Sequence, residues 1–208
     1  MDSELKEILD STCGLFDFID EKSGLTKKID IDGKLSDILK FELMCFLCCL
    51  SACDKRISRV EAALIRNYFD VEMYPIHIKE FNNKQNIGSE NFYNKVPQCL
   101  AIAVAVDNYM VERNGYVERC TSDIVIEVFK AFGKAMVVAD EKVKAEEQIC
   151  WSRYITMMTQ YIADNSKVYK NDPRNVPRPG APIDVKYDVS LDKIGRTYTL
   201  YIGKFPIE

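Results

Sequence analysis

The sequence has few of the residues and motifs on which enzymes commonly rely. It contains one histidine, His77, so multi-histidine metal sites within the chain are excluded. Its nine glycines are scattered singly, which argues against a P-loop or a Rossmann turn. A Cys-His nucleophilic pair would require His77 to meet one particular cysteine, and no motif supports that pairing. No catalytic motif emerges from the sequence.

Long apolar runs are also missing. The two longest are Cys99–Val106 and Leu43–Cys53, which Ser51 interrupts. Both are well short of the ~20 residues that a helix needs to span a bilayer. The first residues, MDSELKEILDS, are charged and lack the apolar run of a secretory signal. We therefore expect a cytoplasmic protein without a membrane span, in which thiols stay reduced.

Charge is nearly balanced. The 28 basic and 32 acidic side chains give a net charge of -4, so the sequence carries no strong signal for nucleic-acid binding. Hydrophobic residues make up 47% and charged residues 29%, which excludes a wholly disordered chain. At ~150 residues per domain, the 208 residues correspond to one large domain or to one domain with an appendage.

Apolar residues recur at helical spacing through most of the first 165 residues, which predicts an all-α body of six or seven helices. The helix after Ser36 is apolar on most of its circumference and should lie at the centre of a bundle. In the helix after Ser58 we expect Val60 to point inward. The alternating stretch 27–33 predicts a short strand or an extended loop, and 82–88 a loop. The predicted helices cover residues 4–20, 36–50, 58–69, 76–81, 97–112, 121–139 and 144–163.

Composition changes after residue 165. Residues 166–183 contain four prolines and are predicted to form a stiff linker. Residues 184–208 alternate apolar and polar side chains around a turn and are predicted to form a β-hairpin tail. An isolated hairpin is marginal in water, so it should dock on residues 29–31, on the helical body or on another protein. Segment 166–208 carries three net positive charges, which is consistent with docking on an acidic body.

One short pattern occurs twice. The pattern is Asp-x-x-(Ile/Val)-x-x-x-Glu after an apolar helix, and its two copies are 86 residues apart: Asp54, Ile57, Glu61 and Asp140, Val143, Glu147. We expect each aliphatic residue to plug its turn into the core. In the first copy Ser58 and Glu61 predict a capping box at the start of the next helix. Lys144 replaces the serine in the second copy, so that box should be incomplete.

The duplicated helix–acidic turn–helix pattern over roughly residues 36–163 resembles the TerB-like (tellurite-resistance protein B-like) superfamily. The family usually has Asp-Gly where this chain has Asp54-Lys55 and Asp140-Glu141. The resemblance implies a pseudo-twofold helical bundle for residues 1–165, which include an additional N-terminal helix. It also implies acidic residues near the pseudo-twofold axis that bind divalent cations, and a role in multi-protein stress-response or phage-defence (antiviral) assemblies.

Carried over by residue, the acidic positions of the family are Asp54, Glu61, Asp140 and Glu147. Asp107 also follows an apolar helix, AIAVAVD, and is added as a candidate. Oxygen ligands of this kind favour Ca²⁺ or Mg²⁺ over softer metals. The alternative is that these side chains cap helices and interact with helix dipoles, which requires no ion.

Four of the eight cysteines lie on the central predicted helix. Cys45, Cys49 and Cys53 share a face and are candidates for a soft-metal site or a thiol sensor. Tetrahedral zinc sites usually take their ligands from loops or from two elements, and no CxxC pair recurs elsewhere. The alternative, which we favour, is that these cysteines pack as small hydrophobic side chains.

The sequence therefore favours a non-catalytic binding or sensing module of a bacterial stress-response or phage-defence assembly, with divalent-cation assistance as an added hypothesis. Protein partners would bind through the hairpin or the helical surface, and the chain could form a homo-oligomer. Two alternatives stay open. One is an enzyme or enzyme accessory in which clustered carboxylates hold a catalytic metal. The other is the cysteine-based thiol sensor.

Overall fold

The structure is a computed structural model that describes residues 3–28, 32–85, 92, 94–115, 117, 119–140 and 143–170. Within these ranges all regular secondary structure is helical, which confirms the predicted all-α class. Seven of the helices have eleven or more residues. In chain order the helices of the described residues are α1 (Ser3–Ser23), α2 (Leu25–Lys28), α3 (Leu35–Ala52), α4 (Arg59–Phe69), α5 (Pro75–Gln85), α6 (Gln98–Asn114), α7 (Thr121–Val137), α8 (Ala145–Asn165) and α9 (Lys167–Lys170).

Helix α3 lies at the centre of the molecule, as its apolar circumference predicts. It packs against α1, α4, α5, α6, α7 and α8. Its side chains are buried without interruption from Leu43 to Ser51. Phe46 stacks on Tyr154 of α8 with a centroid distance of 4.7 Å and lies 5.4 Å from Phe129 of α7. Each leucine or phenylalanine buried here contributes about 1.5–3 kcal/mol, so α3 organises the core.

The repeated sequence pattern corresponds to a repeated structural unit. Helices α3 and α4 begin at Leu35 and Arg59, and helices α7 and α8 begin at Thr121 and Ala145. Both pairs of starts are separated by the same 86 residues that separate the acidic turns. The chain therefore contains two helix–turn–helix units with the same spacing between helix starts, which we call the first unit (α3–α4) and the second unit (α7–α8).

The alternating stretch 27–33 does not begin as a strand. Lys27 and Lys28 belong to α2, and residues 29–31 lie outside the described residues. A helical turn forms here instead of a strand because Asp20 caps it. The Asp20 carboxylate accepts hydrogen bonds from the Thr26 N–H at 2.8 Å and from the Thr26 hydroxyl at 2.7 Å. These two bonds satisfy a donor at the start of a helical turn.

Helix α5 is longer than predicted and includes the first four residues of the expected loop 82–88. The side chain of Asn82 explains this extension, because it is buried and its Nδ2 donates to the Cys48 carbonyl at 2.8 Å. Residues 86–88 lie outside the described part of the chain.

Two valines that were expected in the core are exposed. Val60 is 53% exposed, since α4 buries Glu61, Ala62 and Ile65 and thereby turns its first residues outward. Val143 is 52% exposed, so the second turn has no aliphatic plug. In the first turn, Ile57 does pack against the core, as predicted.

The chain remains packed a few residues past the expected start of the linker. Ser166 is buried, and α9 packs against α6 through a hydrogen bond from the Lys167 N–H to Asn108 Oδ1 at 2.6 Å. An ion pair between Lys167 and Glu112 reinforces this contact. The rest of the predicted linker and the whole hairpin, residues 184–208, lie outside the described residues. None of the helices described is long and apolar enough to cross a membrane.

Candidate functional site

The two acidic turns meet at Lys144. Its ammonium Nζ lies 3.0 Å from Asp54 Oδ2 of the first turn, 2.9 Å from Asp140 Oδ2 and 3.2 Å from Glu147 Oε1. Three of the five predicted ligand residues therefore share one cation that belongs to the chain itself. We call Asp54, Glu61, Asp140, Lys144 and Glu147 the charge cluster.

The first turn is organised by local hydrogen bonds. Asp54 Oδ1 accepts from the Arg56 N–H at 2.8 Å, which holds the turn closed. The predicted capping box is present, since the Glu61 N–H donates to Ser58 Oγ at 3.1 Å and the Ser58 N–H donates to Glu61 Oε2 at 2.5 Å. Lys55 adopts a left-handed conformation with φ of 65°, at the position where the family usually has glycine. A side chain there costs about 1 kcal/mol, which the surrounding bonds offset.

The second turn lacks the serine and uses a different arrangement. Lys144 caps α8 by position, but its side chain makes no hydrogen bond to the backbone of the first turn of that helix. As predicted, the capping box is incomplete. The side chain instead donates to the Glu147 carboxylate and reaches across to Asp54.

Two glutamates of the charge cluster are buried, and its other three side chains are half-buried. Glu61 is fully buried and Glu147 is 1% exposed. Burial raises the pKa of Glu147 to about 7, the negative charges of Glu61 and Asp54 add to this rise, and Lys144 opposes it. Burial also raises the pKa of Glu61. Burial alone would lower the pKa of Lys144, but hydrogen bonds to Asp140, Asp54 and Glu147 hold it above its ordinary value.

One acceptor in the charge cluster lacks a partner. Oε1 of Glu61 is buried and accepts no hydrogen bond from any residue that the structure describes. A buried carboxylate oxygen without a donor costs about 1–3 kcal/mol. The first turn therefore holds one carboxylate whose second oxygen is available to a proton or to a cation.

The present arrangement does not suit a divalent ion at the centre of the cluster. Ca²⁺ binds oxygen ligands at about 2.3–2.6 Å, and its centre would coincide with the space that the Lys144 ammonium takes. In the described ranges, no group of three or more Asp, Glu, Cys or His side chains is arranged to hold a metal ion. The lysine already provides the positive charge that such an ion would supply.

Asp107 lies apart from the charge cluster. Its carboxylate accepts from the Thr121 N–H at 2.7 Å, the Ser122 N–H at 2.9 Å and the Ser122 hydroxyl at 2.6 Å, all at the start of α7. The cluster is at the other end of this 17-residue helix, about 25 Å away at 1.5 Å per residue. Asp107 therefore acts as a helix cap.

The first unit has a related cap. The Ser36 N–H, at the position that matches Ser122 by the 86-residue offset, donates to Asp17 Oδ1 of α1 at 3.4 Å. In each unit, an aspartate on an earlier helix thus holds the start of the unit's first helix, α3 or α7. This repeated cap supports the non-metal reading of Asp107.

A half-buried carboxylate that sequence reasoning missed is Glu42 of α3. Its two carboxylate oxygens accept from the Gln98 N–H at 2.6 Å and the Cys99 N–H at 2.8 Å, which caps α6 from outside. Burial raises the pKa of Glu42 to about 7, although both hydrogen bonds lower it. A cavity of about 30 Å³ lies beside it, lined partly by Tyr154. The signal in the sequence is one acidic residue within the otherwise uncharged stretch 41–52 of this helix.

The cysteines of α3 behave as packed apolar side chains. Cys45 and Cys49 are buried in a small cluster with three phenylalanines, and Cys48 is in the main core. Burial raises the pKa of Cys45 and of Cys48 well above the ordinary value. Cys53 is half-buried, and its thiol donates to the Cys49 carbonyl at 3.3 Å. Thiols in this state are poor nucleophiles.

The second unit supports this interpretation of the cysteines. With the 86-residue offset, the stripe on α3 has small apolar residues as its counterparts on α7 and in the following turn. The positions that match Cys45, Cys49 and Cys53 are Ala131, Ala135 and Ala139. A thiol at these positions therefore fills the space of a small side chain in a repeated packing pattern.

Comparison of the chain with models of known protein families, with curated proteins and with solved structures gives no match. The resemblance to the TerB-like superfamily therefore stays a prediction. The function has to be inferred from the geometry of the site and of the surface around it.

Proposed function

We propose that this chain is a non-catalytic protein-binding module whose binding surface surrounds the two acidic turns. The observation that carries the proposal is the exposure of large apolar side chains on α4, in the second turn and on α8. Val60 and Val143 are next in sequence to Glu61 and Lys144 of the charge cluster and are 53% and 52% exposed, and Ile149 on α8 is 66% exposed. In this proposal they contribute to one surface, since contiguous exposed apolar patches are typical of protein interaction sites.

The first half of α8 borders a surface depression that a partner could occupy. A shallow depression of about 470 Å³ runs along residues spaced three and four apart on one face of the helix. Its lining residues are Ala145, Gln148, Ile149, Ser152, Arg153 and Thr156. A helix of the partner with apolar side chains at the same spacing fits such a surface.

The biological setting of the proposal is a bacterial stress-response or phage-defence assembly, and its support is the family resemblance of the duplicated turns. In this proposal the charge cluster has a structural part. It fixes the two turns relative to each other, so that the apolar side chains beside them form one surface. No divalent ion is required for this function.

The test is co-purification of partners from the source organism with two matched variants. Ile149→Glu places a charge in the depression on α8, and Ile76→Glu places the same charge on the exposed start of α5, where Ile76 is 57% exposed. We expect Ile149→Glu to lose a partner that both the wild type and Ile76→Glu retain. Equal recovery of that partner with both variants would contradict the proposed surface.

A further inference from the structure

The charge cluster contains its own cation, and that cation connects the two units of the fold. Lys144 belongs to the second unit, and its ammonium is 3.0 Å from Asp54 of the first unit. The same nitrogen is 2.9 Å from Asp140. We propose that Lys144 is the resident cation of this site and holds the two acidic turns together in the place of a divalent ion. The inference concerns stability and ion binding, so it can be tested without a partner of the proposed binding surface.

The first argument is steric and electrostatic. Three carboxylate oxygens lie 2.9–3.2 Å from one ammonium, within the range of hydrogen-bond distances. An ion that bound the same oxygens would have to displace the lysine, because two positive charges cannot share this space at a few ångströms. Lysine and divalent ion are therefore mutually exclusive occupants.

The second argument comes from the repeat. Ser58 is the residue of the first turn that matches Lys144, and it makes only local bonds. Substitution of serine at position 144 would give the second turn the capping residue of the first and would remove the Lys144 ammonium from Asp54, Asp140 and Glu147. Those three carboxylates would then present oxygens around the point that the ammonium had occupied, and carboxylate oxygens are the ligands that Ca²⁺ prefers.

The experiment compares the thermal unfolding of the full chain with and without millimolar Ca²⁺, in the wild type, Lys144→Ser and Lys130→Ser. Lys130 is the control because its ion pair with Glu127 is exposed and lies on one helix. In EDTA, we expect Lys144→Ser to lower the melting temperature by about 5 °C or more and Lys130→Ser by less than about 2 °C. Ca²⁺ should leave the wild type unchanged and recover part of the loss in Lys144→Ser.

Three outcomes would overturn the proposal. One is a rise in the melting temperature of the wild type with Ca²⁺, which needs no variant and would show that the lysine and an ion bind together. Another is a Lys144→Ser variant as stable as the Lys130→Ser control. The last is a Lys144→Ser variant that gains no stability from Ca²⁺. If this variant is unfolded in EDTA, its folding on addition of Ca²⁺ supports the proposal, and continued unfolding contradicts it.

Discussion

The two acidic turns have the same spacing between their aspartate and glutamate but different chemistry. In the first turn, Ser58 and Glu61 satisfy each other's backbone donors, so its hydrogen bonds are local. In the second turn, Lys144 gives up the local cap and bonds across to Asp54. The difference shows that one copy of a repeated unit can keep the local stability of a turn while the other copy provides the connection between them.

The helices that precede the two turns differ in the same way. Positions matched by the 86-residue offset carry Leu47 on α3 and Gly133 on α7. The glycine is needed because the indole of Trp151 from α8 packs directly on it, at 2.5 Å from where a Cβ would be. The first unit fills this position with its own side chain, whereas the second fills it from the neighbouring helix.

Of the substitutions that test the difference between the two units, we expect Gly133→Ala to have the largest effect on the free energy of unfolding. The added Cβ would lie 2.5 Å from Cδ1 and 2.6 Å from Nε1 of Trp151, and 3.2 Å from a ring carbon of Phe46. Because the indole is rigid, we expect a loss of about 2–3 kcal/mol in the free energy of unfolding, despite the better helix propensity of alanine. Urea denaturation followed by tryptophan fluorescence measures this loss directly.

Gly14→Ala is the matched control for that variant. Gly14 lies on α1, and no heavy atom comes within 4 Å of where its Cβ would be. We expect this substitution to stabilise the chain by about 0.5–1 kcal/mol through helix propensity alone. Equal effects of the two substitutions would show that Trp151 does not pack on Gly133 as described.

The sequence predicts the helices far better than the short segments between them. Helical periodicity identifies the seven longer helices, and Gly115 ends α6 in the left-handed conformation that its sequence favours. The alternating pattern of stretch 27–33 predicts a strand or an extended loop, but residues 27 and 28 are helical because Asp20 caps the helical turn that contains them. The predicted inward orientation of Val60 was wrong for a similar reason, since buried Glu61 sets which side of α4 faces inward.

The next largest effect on stability is expected from a carboxylate that the first unit has and the second lacks. Glu42 of α3 is matched by the apolar Val128 on α7. The pKa of Glu42 in the fold is about 7, against an ordinary value of 4.5. A group whose pKa is raised by folding stabilises the folded state at low pH, and this contribution is lost as the pH rises from 4.5 to 7. Above pH 7 it should no longer change.

Glu42→Gln tests this dependence, because glutamine keeps the shape of the side chain and does not titrate. We expect the stability of the wild type, measured relative to Glu42→Gln, to fall by about 1–2 kcal/mol between pH 4.5 and pH 7.5. Urea denaturation of both proteins at a series of pH values gives the difference curve. A difference that stays constant with pH would contradict a raised pKa at Glu42.

Ser58→Ala should have a smaller effect and would make the first turn more like the second. The substitution removes the oxygen that accepts from the Glu61 N–H, and loss of such a cap costs about 1 kcal/mol. Ser152→Ala, on the exposed face of α8, is the control and should change the free energy of unfolding by less than about 0.5 kcal/mol. Thermal or urea unfolding of both variants makes the comparison. If Ser58→Ala were as harmless as the control, the capping box would not stabilise α4.

The candidate site was predictable in composition but not in arrangement. The repeat identified Asp54, Asp140 and Glu147, which do lie around one point. From the repeat, Lys144 was interpreted only as the replacement of a capping serine. A sequence pattern does not show which residues the end of a long, flexible side chain contacts. Asp107 shares the local pattern of an acidic residue after an apolar helix, yet the fold directs it to the start of α7.

The smallest effect is expected for Cys53→Ala, which converts a position of the first unit to the alanine that the second unit has at Ala139. Cys53 is half-buried and its thiol makes a hydrogen bond to a backbone carbonyl, so we expect a change of less than about 0.5 kcal/mol in the free energy of unfolding.

Native alkylation followed by mass spectrometry extends the test to the buried thiols. Cys45 should react far more slowly than half-buried Cys150, because burial keeps its thiol protonated and out of reach of the reagent. Rapid alkylation of Cys45 would instead favour the thiol-sensor alternative and would mean that the stripe on α3 differs from its alanine counterpart in function as well as in composition.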